Sequence, residues 1–231
     1  MDYLLQGFLQ GFILLFTGNP ETYSAIWATV AASSMAMAAS LTIGIPLGFL
    51  LGHKTFPGKK IVRTLVDTLL SFPTVVIGLL VYAFLTHRGP FGEAGLLFTL
   101  PAIAIGQTIL GLPVIIAMTA TAVEALDRRL PMTLTTLGAS SRQILWATVV
   151  EARFSIMLAA MSAYGRIVSE VGISMMVGGN IKWHTRTITT AISLETGKGE
   201  FAVGIALGMV LLTVALTVNI MASGLKRKAM K

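Results

Sequence analysis

"LTTLGASSRQILWATVV", Leu134 to Val150, sets Ser140, Ser141, Arg142 and Gln143 in a row just after Gly138. Such a polar run stands out because the chain around it avoids water. Of 231 residues, 55% are hydrophobic and only 12% are charged, against about 25% charged in a soluble domain. Mean hydropathy is +0.81. Thr22–Gly52, Ala94–Val123 and Phe201–Leu225 carry no Asp, Glu, Lys or Arg at all. A helix needs about 20 apolar residues to cross a bilayer core of roughly 30 Å. Period-two alternation is absent, so a transmembrane barrel is excluded and an all-α integral membrane fold follows.

Working outward from that run, five segments are expected to span the bilayer: 24–52, 64–86, 97–124, 154–178 and 201–225, all within one domain of residues 1–231. Lys and Arg accumulate in cytoplasmic loops. Lys54, Lys59, Lys60, Arg63, Arg128, Arg129, Arg142, Arg153, Lys226, Arg227, Lys228 and Lys231 fall on one side, twelve against the four of Arg88, Lys182, Arg186 and Lys198. That asymmetry puts residues 127–153 and the C-terminus in the cytoplasm. The net charge of +7 is therefore a topology signal, not a nucleic-acid footprint. The N-terminus lacks a basic n-region and a cleavage site, so the first span is expected to direct insertion. Residues 3–18, about 24 Å as a helix, are expected to lie in the outer interface; as a tilted helix they would be a sixth span.

Pro46, Pro73 and Pro113 fall inside spans and are expected to kink them, Pro73 in a helix beside a pathway. Gly44/Gly48, Gly48/Gly52 and Gly204/Gly208 have the small-residue spacing that lets helices approach closely. In the cytoplasmic segment, Pro131 is expected to start a short helix and Gly138 to end it in a left-handed turn. Ser140 and Gln143 have capping-box spacing, so a second helix begins there, with Ile144, Leu145, Thr148 and Val149 as its inward face. A short helix held below the membrane suits a cleft in another protein; the competing reading is an ordinary surface loop.

Residues 135–172, "TTLGASSRQILWATVVEARFSIMLAAMSAYGRIVSEVG", resemble the cytoplasmic signature of ATP-binding-cassette importer permeases. Gly138 matches that signature's glycine. The family's Glu-Ala-Ala falls on Met132, Thr133 and Leu134, and its Leu-Pro on Val150 and Glu151, so those letters differ. Gly52–Val81 and Tyr164–Gly172 resemble oxyanion permeases of the molybdate type, and Val177–Ala202 is most similar to tungstate permeases. The resemblance implies that Leu134, Leu137, Gly138, Ala139, Ser140 and Arg142 form a coupling helix docking on a cytoplasmic ATPase dimer. It also implies a second copy of the chain and an extracytoplasmic oxyanion-binding protein as partners. ATP and Mg would sit on the ATPase, with no cofactor in this chain. The function implied is the permease subunit of an importer for tungstate, in the plasma membrane of a prokaryote. The alternatives are molybdate or another small solute, and a gradient-driven carrier.

Arg166 and Glu170 are expected to be charges deep in a span, four apart and so on one helix face. They would form a structural pair, or Arg166 would favour an anion. Ser71, Pro73, Thr74, Arg166, Ser169 and Glu170 are the candidate path residues. Lys182, His184 and Arg186, at alternate positions, would meet the binding protein, or belong to an interfacial helix anchored by Trp183. The chain offers no enzyme of its own. Gly52 and Gly58 are separated by five residues where a phosphate loop needs four, and Lys60 stands where Ser or Thr is required. His53, His87 and His184 have no metal spacing, and Cys is absent.

Overall fold

The structure, a computed structural model, describes residues 5, 7–9, 13, 16–126 and 129–229. Among them there is no strand; the fold is all-α. The first long helix, α1 (Pro20–His53), starts where Asn19 Oδ1 accepts the N–H groups of Glu21 (3.0 Å) and Thr22 (3.1 Å), with Pro20 in the first turn. At 1.5 Å per residue its 34 residues extend about 51 Å, longer than an apolar core of roughly 30 Å.

The chain then runs through α2 (Lys59–Leu70), α3 (Thr74–Leu85), a single 3₁₀ turn and α4 (Leu100–Glu124). Thr99 Oγ1 caps α4 by accepting from Ala102 N. Next come α5 (Arg129–Thr136), α6 (Ser141–Glu151), α7 (Arg153–Val168), α8 (Gly172–Gly178), α9 (Ile188–Gly197) and α10 (Phe201–Ala229). Helix α4 is the hub. Its pairing with α1 is the most extensive in the fold, and α2, α3, α7 and α8 also pack on it.

Glycine makes the α1–α4 contact possible. A Cβ on Gly44 would lie 2.7 Å from Ile115 Cγ2, on Gly48 2.7 Å from the Ile116 carbonyl oxygen, and on Gly52 2.7 Å from that of Ala120. The expected close approach therefore holds along all three. The Gly204/Gly208 pair behaves differently. A Cβ on Gly204 would lie 2.9 Å from Thr196 Oγ1 of α9, whereas nothing lies within 4 Å of a Cβ on Gly208. Only one of those two glycines is a contact point.

α1, α4 and α10 (over Phe201–Ile220) are each long and apolar enough to cross a membrane; two bent helix pairs raise the number to five if each pair is one span. The stretch 64–86, expected as one kinked helix, is instead split: α2 and α3 meet at 98°. Pro73 lacks an N–H and disfavours helical backbone at Phe72, so it becomes the residue from which α3 starts. The break lets each piece follow a different half of α4. Val66 packs with Ile116, Ala117 and Ala120, while Ile77, Val81 and Leu85 pack with Ala102, Leu110 and Ile173. The stretch 154–178 is also divided, into α7 and α8.

Of the expected helix 3–18, residues 3, 4, 6, 10–12, 14 and 15 lie outside the described residues. Gly7 is buried against α10, where a Cβ would meet Ile205 Cβ at 2.8 Å.

Candidate functional site

The segment around Gly138 folds as a helical hairpin, α5 followed by α6. α5 ends in the left-handed turn that Gly138 permits, at φ +79°. Gly138 N donates to Thr135 O (3.0 Å) and Ala139 N to Leu134 O (2.9 Å), which satisfies the last carbonyls of the helix. A Cβ on Gly138 would touch nothing within 4 Å, so the glycine serves backbone conformation, not close packing. α6 begins in the expected capping box: Gln143 N donates to Ser140 Oγ (3.4 Å), and Ser140 N to Gln143 Oε1 (2.7 Å). α6 then meets α7 at 63°.

Leu137, Gly138, Ser140 and Arg142 are exposed, and Leu134 and Ala139 are half-buried. On α6, Thr148 is buried and Ile144 and Val149 are half-buried, as expected of an inward face; Leu145, expected to face inward, is exposed. Sequence reasoning missed Met132 and Trp146. They and Leu137 are exposed apolar side chains, at 67%, 68% and 77% respectively. The signal available was a Trp close to the polar run Ser140–Gln143.

A second constellation lies where the broken helices meet. A Cβ on Gly172 would be 3.3 Å from Glu170 Oε1 and 3.7 Å from Thr74 Oγ1, so Gly172 is flanked by that carboxylate and that hydroxyl. Glu170 is buried, and its Oε1 accepts the N–H of Ile173 (3.1 Å), which caps the start of α8. Its carbonyl accepts from Thr189 Oγ1 (3.0 Å). The expected Arg166–Glu170 ion pair is not formed. α7 ends at Val168, so the two residues do not share a helix, and no contact within 4.0 Å joins them among the described residues. Arg166 is half-buried in the last turn of α7. Ser169 Oγ turns back to the Gly165 carbonyl at 2.8 Å. Ser71 and Pro73 are exposed at the α2–α3 break.

Gln107 was also missed, although it is the one amide side chain in the charge-free stretch 94–123. It is buried in α4, with Nε2 3.4 Å from Ile167 O and Oε1 without a partner. A buried carbonyl oxygen left free is costly in an apolar setting, so this acceptor marks the break as a polar spot inside the bundle. Replacing Glu170 by Ala is expected to lower stability by about 1–2 kcal/mol, because a buried cap is removed. Glu170→Gln, which keeps an acceptor, should cost less. The Arg166→Ala and Glu170→Ala losses should add, since the two do not touch. Thermal unfolding in detergent reads all three.

At the opposite end of α1, Lys182 Nζ and Arg186 Nη1 converge on the Glu21 carboxylate at 2.8 and 2.7 Å. Glu21 stands in the first turn of α1, beyond residues 24–52. The hydrogen bond from Lys182, against the opposing effect of burial and with the help of Arg186, holds its carboxyl below the usual carboxylate range. His184 is exposed and takes no part in that triad. Residues 181–186 form a turn, not a helix. Thr185 Oγ1 ties the turn to the Gly178 carbonyl, and Thr187 caps α9. Among the described residues no three His, Cys, Asp or Glu side chains are placed to hold a metal.

The described residues thus present an exposed pair of short helices, broken helices around a polar spot, and a charged turn at residues 181–186. Residues 44–231 match the family model "Binding-protein-dependent transport system inner membrane component". The chain belongs to this family. Among curated relatives, the tungstate uptake system permease protein TupB of Campylobacter jejuni is 47% identical over 98% of this chain and 95% of that protein. TupB of Peptoclostridium acidaminophilum is 35% identical over 95% and 96%. Among solved structures, a bacterial alginate ABC transporter bound to its periplasmic protein superimposes with a TM-score of 0.79 at 20% identity, covering 100% of this chain and 88% of that one. That likeness supports the fold alone.

Proposed function

We propose that this chain is the membrane-spanning subunit of an ATP-driven importer for tungstate. The observation that carries the reading is the 47% identity, over almost the whole chain, to a tungstate uptake permease. The protein works as a homodimer with the path on its two-fold axis, because five or six helices are too few to enclose one alone. Its spans are residues 24–52, 64–86, 97–124, 154–178 and 201–225, with 127–153 and the C-terminus in the cytoplasm of a prokaryotic cell. Two cytoplasmic ATPase subunits, holding ATP and Mg, dock on Leu134, Leu137, Gly138, Ala139, Ser140 and Arg142. The exposed hydrophobic surface at Leu137 supports that docking.

An extracytoplasmic binding protein delivers the anion to the turn carrying Lys182, His184 and Arg186. ATP-driven closure of the ATPases swings the α5–α6 hairpin and thereby the α7–α8 break attached to it. Ser71, Pro73, Thr74, Arg166, Ser169 and Glu170 then border the path. Arg166 supplies positive charge for a dianion, and the Glu170 carboxylate is kept off it by its bond to the Ile173 N–H. Deleting the gene in its host should abolish tungsten accumulation from trace tungstate, measured by elemental analysis, while molybdenum content stays near wild type. Loss of molybdenum with tungsten retained would overturn the tungstate assignment.

A further inference from the structure

Backbone strain and side-chain clamping converge on one turn, residues 179–186. Among the described residues, three that are not glycine have left-handed backbone: Phe98, Asn180 and Trp183, at φ +63°, +50° and +66°. Two of them lie in this turn, and the third donates its N–H to Val177 O, in the last turn of α8, at 2.9 Å. Such backbone is unfavourable for a bulky aromatic residue and persists only where the surroundings enforce it. Here they do. The Ile181 carbonyl accepts three successive N–H groups, from His184 (3.1 Å), Thr185 (3.0 Å) and Arg186 (3.0 Å). Lys182 and Arg186 fasten the turn to Glu21 of α1. Lys182 Nζ also stands 5.2 Å from the centroid of the Trp183 ring, so the ring is held against an ammonium that a carboxylate holds in turn. The turn leaves Ile181, His184 and Trp183 exposed, Trp183 at 57%.

We infer that Trp183 is the anchor on which the extracytoplasmic binding protein docks, and that Lys182 and Arg186, neutralised by Glu21, are positioning residues that hold its ring in place. The inference rests on the proposed function; the family is binding-protein-dependent by description, which supplies the class of partner. A docking surface gains from a pre-set aromatic side chain, because little ordering cost is left for the moment of binding. A bilayer anchor does not need one. Trp27, exposed near the start of the proposed span 24–52, already stands where an interfacial aromatic belongs. Glu21 lies six residues, about 9 Å, further toward the end of α1. The turn fastened to Glu21 is therefore beyond the level of Trp27. The chemistry of the partner follows. With both cations neutralised, the matching surface is an apolar pocket with an acceptor for the indole N–H, not an acidic patch.

The test uses the whole transporter, this chain with its ATPase in lipid nanodiscs, and the tungstate-loaded binding protein of the same host, with Kd read by interferometry. Trp183→Ala is expected to weaken docking about thirtyfold or more. Trp183→Gly should weaken it as much while keeping Tm at or above the wild-type value, because glycine suits φ +66°. Glu21→Gln, at a residue that does not meet the partner, should cost about fivefold by loosening the ring. Raising salt from about 50 to about 300 mM should change wild-type affinity less than about threefold. Docking left intact in both Trp183 variants, or a steeper salt dependence, overturns the inference. So does docking unchanged or strengthened by Glu21→Gln, the result expected if the freed Lys182 and Arg186 met the partner themselves. Loss of bilayer insertion in Trp183→Ala, with docking intact in the inserted fraction, would make Trp183 a membrane anchor and also overturn it. Failure of the wild type itself to bind would overturn the permease reading, whereas wild-type docking that survives both Trp183 variants overturns this inference alone.

Discussion

Gly48→Val is expected to leave little properly folded protein in the membrane. A Cβ at this position would lie 2.7 Å from the Ile116 carbonyl oxygen and 2.7 Å from Thr119 Cβ. The first of these is backbone of the hub helix, so no side-chain rotation relieves it. Gly44 and Gly52, one turn away on either side, meet α4 just as closely. α1 therefore cannot tilt away from the clash without losing both neighbouring contacts. Overpacking of this kind costs about 1–3 kcal/mol even where neighbours can yield, and helix association in a bilayer relies on close packing of small residues. Gly208→Val is the matched control, since a Cβ there has open space. The check is the fraction of monodisperse protein on size exclusion and its Tm. Equal behaviour of the two variants would remove the argument that the α1–α4 contact holds the bundle together.

The second large effect is expected at the α5–α6 hairpin. Leu137→Asp combined with Trp146→Asp should cut co-purification of the ATPase more than tenfold, since exposed aromatic and aliphatic anchors dominate such interfaces. Folding should be preserved, because both side chains are largely exposed. Gly138→Val should have a similar effect by another route. Its φ of +79° is unfavourable for a β-branched residue, so the angle between α5 and α6 must change while the helices survive. Normal co-purification in both variants, with Tm at the wild-type value, would exclude the hairpin as the docking element.

Much of this was legible in the sequence because the bilayer allows so few solutions. A charge-free run such as Phe201–Leu225 has to be a helix in lipid, and the hairpin was written in Gly138, Ser140 and Gln143. Spacing was a good guide where a helix was continuous, as for Gly44, Gly48 and Gly52. It failed at Arg166 and Glu170, because an i,i+4 pairing presupposes an unbroken helix and α7 stops at Val168. The same limit applied to Pro73, which begins a helix instead of bending one. The break is held by a tertiary partner that no local pattern carries, the Thr189 hydroxyl on the Glu170 carbonyl, beside the local cap from the Ile173 N–H to the Glu170 carboxylate. Gln107 and Trp146 were visible as oddities, but only the fold gave them neighbours.

The central claim is that this polypeptide moves its anion only when a separate motor works it. The direct measurement is tungstate accumulation in proteoliposomes holding the purified chain, with binding protein outside and ATP inside, in the presence and absence of the ATPase. Accumulation above the external concentration is predicted only with the ATPase present and ATP being hydrolysed. Sustained uphill uptake by the chain without it, driven by an imposed ion gradient, would contradict the account.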